Sequence, residues 1–431
     1  MEFERVYAHP VAEQAAPAEV RGVRPFWIGV RASVVAALGF TLLGLVTAGV
    51  LQWELLDPER TLYDETYSRS FELHQVAFLG GSLPLGMGVL SVLALPRALG
   101  LPAMRAWWLL YASLALWGLG TLMMLWMLAP VGMQPSNALA LGLFIAGLAL
   151  LAVQVLTTLA LHRDQLSRAP FLVLGLGGAA ALQLLAFGQS LLQFAGSFLS
   201  LPDLGSGVHH LSALSTPITM GLAAHLLERE MGRPFRGRAL LGASMLLPSV
   251  TPWISAGELW TPVLALGSAL SVIWFGLQST LHLRVGARSQ TSGALLLVLL
   301  VVLHVLASAF ADTLSVDVNL NKTYFVVGGL HLSVLGLFLA LVLLAASEPD
   351  LLGGRTPRSA LLRLGLFSVA IGLGGAFCMM LVLGSQGMPR RYVSYIPQFT
   401  AFFRTMAAFA ALGLAGVVPL FLAFVRAKRG T

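Results

Sequence analysis

Long apolar runs alternate with short polar breaks along almost the whole chain. Reading each run between its bounding charges, prolines and glycines predicts spans near residues 27–51, 71–95, 105–129, 137–161, 170–200, 207–227, 238–256, 259–283, 291–311, 323–346, 359–384 and 398–426. Many reach about 20 residues or more, the length a helix needs to cross a bilayer. Backbone polar groups in lipid must pair within their own segment, so every span is predicted to be an α-helix. The seventh carries the weakest pattern, interrupted by Pro248 and Pro252 and followed by Gly257 and Glu258. The expected fold is all-α: a polytopic membrane protein of twelve transmembrane helices. Residues 1–26 form an N-terminal tail, 27–426 the membrane domain and 427–431 a C-terminal tail.

Composition supports the same class. Of the 431 residues, 57% are hydrophobic and 10% charged, against roughly 45–50% apolar and ~25% charged in a soluble domain. Mean hydropathy is +0.83. The net charge of +7 would suggest nucleic acid in a soluble chain, but here it sorts by side of the membrane. With both termini on one side, that side collects most of the 26 Lys and Arg, while the opposite side holds Arg60, Arg69, Lys322, Arg390, Arg391 and Arg404 among acids such as Glu54, Asp57, Asp64 and Asp317. The positive-inside rule then places both termini in the cytoplasm of a cell that carries the chain in its cytoplasmic membrane. No nucleic-acid partner is expected, and lipid is the surrounding medium. Residues 1–26 show no short apolar core before a cleavage site, so no cleaved signal peptide is expected.

The single cysteine, Cys378, lies inside an apolar run, which leaves no thiolate cluster and no Cys-x-x-Cys-His attachment site. Any metal must rest on other ligands, and the histidines stand out. Of nine, His9 and His162 lie outside the spans, and His225 and His282 sit at cytoplasmic helix ends, where an imidazole serves a structural role. The other five, His74, His209, His210, His304 and His331, fall in the outer third of the membrane on four different spans. Ionisable groups at that depth mark functional sites. Two readings stay open: axial ligation of haem iron by neutral imidazoles on facing helices, or separate interhelical hydrogen bonds.

One outer loop bears on that choice. Gly387-Met388-Pro389-Arg390-Arg391-Tyr392 sets two adjacent arginines on the side where basic residues are scarce. Guanidinium groups pair bidentately with carboxylates, and haem propionates are carboxylates. A lipid-headgroup anchor is the other reading.

These stretches resemble subunit I of the haem-copper oxidases. The Gly-Met-Pro-Arg-Arg-Tyr stretch is similar to that family's propionate-binding loop and falls between the last two spans as it does there. The stretch from Asp317 to His331 is similar to the approach to helix 10, His74 on the second span matches in position, and Thr280-Leu281-His282 is a weaker likeness. The resemblance implies a twelve-helix bundle of that type and a low-spin b- or a-type haem held by His74 and His331, with Arg390 and Arg391 at its propionates. It also implies an outside electron donor such as a cytochrome c or cupredoxin domain, and companion membrane subunits.

The family's oxygen-reducing site does not carry over. Helix 10 there presents His-x-His, two positions that point about 200° apart round the helix and address two haems; the first of the pair is Gly329 here. His209 matches the copper histidine of helix 6, yet Ala213 stands where a tyrosine belongs, and Ala256-Gly257-Glu258-Leu259-Trp260 holds no histidine pair. Span 8 has no lysine, the family's position falling near Ile273, and the loop between spans 2 and 3 has no acid. Copper is therefore not expected. Candidate ligands for any second centre are His209, His210 and His304, with Glu258 as an oxygen ligand. The expected function is electron transfer through a bis-histidine haem in a redox complex. Its alternatives are a terminal oxidase or nitric oxide reductase with unusual ligands, and a twelve-helix carrier without haem.

Overall fold

The computed structural model describes residues 24–54, 70–74, 76–77, 81, 83–127, 137–168, 173–181, 204–231, 238–254, 260–282, 289–314, 320, 323–347, 355–357, 359–389, 397–426 and 428–429. The chain is helical almost throughout this set. In order, the helices are α1 (Arg24–Glu54), α2 (Leu83–Ala98), α3 (Trp108–Met127), α4 (Asn137–Leu161), α5 (Leu204–Met231), α6 (Arg238–Ile254), α7 (Trp260–His282), α8 (Ser289–Leu314), α9 (Tyr324–Ser347), α10 (Ser359–Ser385) and α11 (Thr400–Val425). Residues 70–74 and 173–181 are also helical, so every predicted span contains described helix. Among the described residues, eight helices are long and apolar enough to cross a membrane. α6 runs on as one helix through Pro248 and Pro252, as prolines are tolerated where neighbouring helices re-satisfy the freed backbone groups. The second span is less regular: between the turn that ends at His74 and the start of α2, residues 76–77 and 81 adopt π-helical geometry. Such bulges occur mostly at functional sites.

α9 is the centre of the bundle. Its sequence is apolar round the whole circumference, as a helix walled in on all sides must be, and it packs against α2, α5, α8 and α10. Within its span 72% of residues are buried, against 22% for Pro397–Val425 at the rim. Several hydroxyls inside the membrane donate to their own helices, as Ser33 does to Gly29 O at 2.8 Å and Thr121 to Trp117 O at 2.9 Å.

The longest helix–helix interface joins α10 to α11. A side chain at Gly372 would collide with the backbone of Gly413, so the two helices touch main chain to main chain, the close approach that small residues permit in membranes. Both ends of this part of the bundle are tied by backbone pairing. At one end Thr323 pairs with Pro389 as an isolated bridge, and Tyr324 N–H donates to Met388 O at 2.9 Å. At the other, strands β1 (Arg355–Thr356) and β2 (Lys428–Arg429) pair antiparallel.

Candidate functional site

Two histidines distant in sequence meet at the end of the bundle where α9 begins. His74 closes the turn 70–74 and is 9% exposed; His331 sits two turns into α9. Their Nε2 atoms are 3.3 Å apart, across 257 positions of sequence. The rings lie within 13° of one plane with centroids 5.6 Å apart. That separation exceeds the nitrogen separation by only about two ring radii. The rings therefore do not stack: they point at each other edge on, Nε2 to Nε2, along one line.

The other ring nitrogens explain this orientation. His74 Nδ1 lies 2.9 Å from Gly44 O of α1, and His331 Nδ1 lies 2.7 Å from Val327 O, one turn back on α9. A carbonyl oxygen only accepts, so each Nδ1 carries the proton and each Nε2 presents its lone pair to the other ring. Thr47 Oγ1 lies 3.5 Å from His74 Nδ1 and donates within α1 to Leu43 O and Gly44 O. Phe377 of α10 packs against His331 at 4.9 Å between centroids, tilted by 48°. An imidazole anchored through Nδ1 is the usual outer-shell arrangement of a histidine that binds metal through Nε2.

The opposite face of α9 is filled differently. Gly329, Ser333 and Gly336 lie there, turned away from His331. His304 of α8, 6% exposed, places Nδ1 at 2.8 Å from Gly329 O. Ser333 Oγ is bonded to Ser215 Oγ of α5 at 2.5 Å, and the Cβ direction of Gly336 meets Thr219 Cγ2 at 3.5 Å. His209 and His210 lie on α5 six and five residues before Ser215, about 8–9 Å nearer the end where α9 begins; their side chains fall outside the described residues. Among the described residues no three His, Cys, Asp or Glu side chains converge.

Arg390, Arg391 and Glu258 lie outside the described residues. The segment that leads into the arginines is described: Gly387 takes φ +82°, Met388 is buried, and Pro389 pairs with Thr323. Pro389 is thus tied to the start of α9, about 10 Å along the axis from His331, and Arg390 is the next residue in sequence. Sequence reasoning found the two facing histidines but missed Gly44, Thr47 and Phe377. Gly44 acts through its carbonyl, which every residue possesses, and Phe377 is one apolar residue among many, so neither leaves a signal in the pattern. The Ser215–Ser333 bond was also missed, because single hydroxyls recur in most spans.

Comparison with known proteins fits this geometry. Residues 29–416 match the family described as cytochrome c and quinol oxidase polypeptide I. A cytochrome c oxidase polypeptide 1 from Halobacterium salinarum is 36% identical over 116 residues, which is 26% of this chain and 19% of that protein. The chain thus aligns with about a fifth of that relative's length, whereas the family match runs across nearly all of its own helices. On that match the chain belongs to the cytochrome c and quinol oxidase polypeptide I family, that is, to the subunit I proteins of the haem-copper oxidases.

Proposed function

We propose that this chain binds one low-spin haem between His74 and His331 and transfers electrons through it within a membrane redox complex. The observation that carries the reading is the head-on Nε2 pair, with both Nδ1 protons committed to backbone carbonyls. Two buried lone pairs facing each other repel, and a cation on the line between them turns that repulsion into ligation. Two trans imidazoles are too few for an all-protein zinc site, which takes three or four protein ligands. They are what haem requires, since the porphyrin supplies the remaining four donors. His74 and His331 would supply the two imidazole nitrogens that hold the iron.

When bound, the haem supplies a reversible one-electron couple. The protein's part is to hold both imidazoles neutral and in one orientation through Gly44 O and Val327 O, which fixes the tautomer and raises ligand basicity. Phe377 and the apolar residues of α9 and α10 keep water from the ring of His331. Arg390 and Arg391, entering beside the start of α9, pair with the propionates and set them toward the outer surface, where a cytochrome c or cupredoxin domain delivers the electron. Both termini lie in the cytoplasm, and companion subunits cover the rim. Gly329 stands where the family's second haem takes its histidine, and Ala213 and the histidine-free stretch 256–260 stand where its copper site has a tyrosine and a histidine pair, so copper is not expected.

The test is a reduced-minus-oxidised spectrum of the purified chain. An α-band of low-spin haem is expected, and its absence overturns the reading in favour of a haem-free carrier. A second reading, a terminal oxidase or nitric oxide reductase with altered ligands, draws on His304, whose Nδ1 is anchored on Gly329 O as the two axial histidines are anchored on their carbonyls. His209 and His210 lie near the same level. Carbon monoxide separates the two readings: a six-coordinate bis-histidine haem does not take it, whereas a five-coordinate second haem gives a difference band.

A further inference from the structure

The turn that ends at His74 and the helix α2 belong to one apolar run, yet they are not one α-helix. Residues 70–74 and 83–98 are α-helical, while Val76, Ala77 and Gly81 between them take π-helical geometry. A π turn closes i→i+5 and so holds one residue more than an α turn. Each residue of an α-helix advances about 100° round the axis, so whatever precedes the π turn is rotated by about that much against α2. That rotation decides which way His74 faces. Pro84, the second residue of α2, offers no N–H to a helical ladder. The sequence thus permits an irregular turn here, but something else must hold it.

Contact with α1 does so. Phe40, Gly44 and Thr47 lie at i, i+4 and i+7, on one face of α1. Gly44 O accepts from His74 Nδ1, and Thr47 Oγ1 lies beside the same nitrogen. One turn earlier on α1, Phe40 meets Gly81: a Cβ built on Gly81 would collide with Phe40 Cγ and Cδ1 and lie 2.6 Å from Phe40 Cβ. The phenyl group therefore rests directly on the main chain of Gly81, which is buried. Behind the phenyl stands the buried Trp117 of α3, edge to face with centroids 5.6 Å apart at 80°. Trp117 is held in turn, since a Cβ at Gly147 of α4 would lie 2.6 Å from Trp117 N, and Ser113 Oγ donates to Gly147 O at 2.6 Å. The irregular segment is thus gripped at both ends by α1, through a carbonyl at His74 and through a ring at Gly81, and α3 and α4 back the grip.

We propose that Phe40 and Gly81 are positioning residues for the axial ligand His74: their contact holds the π-helical turn, and that turn points His74 Nε2 at His331. The inference rests on the haem reading above. Glycine is needed at 81 because any side chain there takes the place of the phenyl group. A large side chain is needed at 40 because without it the turn is free to tighten toward an α-helix and carry His74 away from its partner. The quantity under control is the angle between the two imidazole planes, 13° in this fold. In an oxidised bis-imidazole haem that angle governs the splitting of the iron d orbitals: near-parallel rings give a rhombic EPR signal and strongly twisted rings a highly anisotropic one.

The test uses the full chain, titrated with haem and read by EPR in the oxidised form. The unaltered chain is expected to give the rhombic signal of near-parallel imidazoles. Gly81→Ala is expected to shift the signal toward the anisotropic type and to weaken haem affinity about tenfold or more, the usual cost of disturbing the support of a metal ligand. In F40G/G81A the small residue is moved from one helix to the other, so the added methyl meets no side chain at position 40. That variant is expected to recover most of the loss and to bind haem at least as well as Phe40→Gly alone, the coupling of two residues in contact. Gly416→Ala is the control: its methyl collides with Ser368 and Val369 between α10 and α11, so Tm falls while the EPR signal and the affinity stay as they were. A second arm needs no haem. In the haem-free chain labelled with 15N-histidine, NMR is expected to show His74, assigned by its loss in His74→Ala, as the Nδ1–H tautomer that Gly44 O selects. That signature is expected to disappear in Gly81→Ala and to return in F40G/G81A. An unchanged signal and tautomer in Gly81→Ala, a double variant no better than Gly81→Ala, or the same shift in Gly416→Ala overturns the proposal. If the unaltered chain takes up no haem, the haem reading fails, and the tautomer arm still decides whether Phe40 and Gly81 aim His74.

Discussion

The two faces of α9 share a helix and differ in what they are built to do. On the His331 side the backbone is drawn tight: the Cβ direction of Gly328 ends 2.7 Å from Phe377 O, Phe377 packs on the imidazole, and His74 meets it head on. On the Gly329 side the nearest heavy atom to an added Cβ would be Ala307 Cβ at 4.0 Å, and the contacts are hydrogen bonds to His304 and Ser215. Family resemblance leads one to expect a haem on each face. One face carries opposed imidazoles, whereas the other carries a glycine and a polar seam between α5, α8 and α9. The two histidines meet where packing is tight, and the hydrogen-bonded seam lies where it is relaxed.

Five substitutions break or sharpen this contrast, in order of expected effect. His74→Ala and His331→Ala are each expected to abolish the low-spin α-band, since one axial ligand does not hold the iron low-spin; survival of the band in either variant refutes the assignment. Gly328→Ala drives a methyl into the carbonyl of Phe377 and is expected to cost about 1–3 kcal/mol, read as a fall in Tm with a broadened haem band. Ser215→Ala removes half of the interhelical hydroxyl pair and is expected to cost about 1 kcal/mol while leaving the α-band unmoved, because the seam lies on the far side of α9. Gly329→Ala meets only ordinary contact and replaces glycine in a helix interior, so a gain of about 0.5–1 kcal/mol is expected. Opposite signs for two adjacent glycines are the sharpest check that the faces differ; equal losses in Tm would erase the distinction.

Helix positions were legible in the sequence because lipid imposes one rule on every span: it must be apolar, about 20 residues long and internally bonded. The rule even carried through Pro248 and Pro252. It does not report regularity, so the π-helical residues after His74 went unseen behind Gly80, Gly81 and Pro84. Of the candidate site, His74 and His331 were legible as rare polar groups at one depth, and the fold brings them together. His304 was legible as a polar outlier too, but its partner is the carbonyl of Gly329, and backbone acceptors carry no sequence signal. Arg390 and Arg391 were legible from charge against topology. The β1–β2 pairing at the other end was not, because basic residues there are what orientation alone demands, and only register makes Arg355 and Arg429 neighbours.

The main-chain contact at Gly372 and Gly413 has a consequence for how the protein comes to be made. α10 and α11 are consecutive, their interface has no room for a lipid between them, and they draw on no group from the rest of the bundle to meet. Such a hairpin closes at low cost in loop entropy soon after insertion. The histidine pair needs α1, the turn at His74 and α9, and so waits for most of the chain to be synthesised. α10 and α11 can therefore pair without waiting for the rest of the bundle, closing against the far side of α9 from the polar seam.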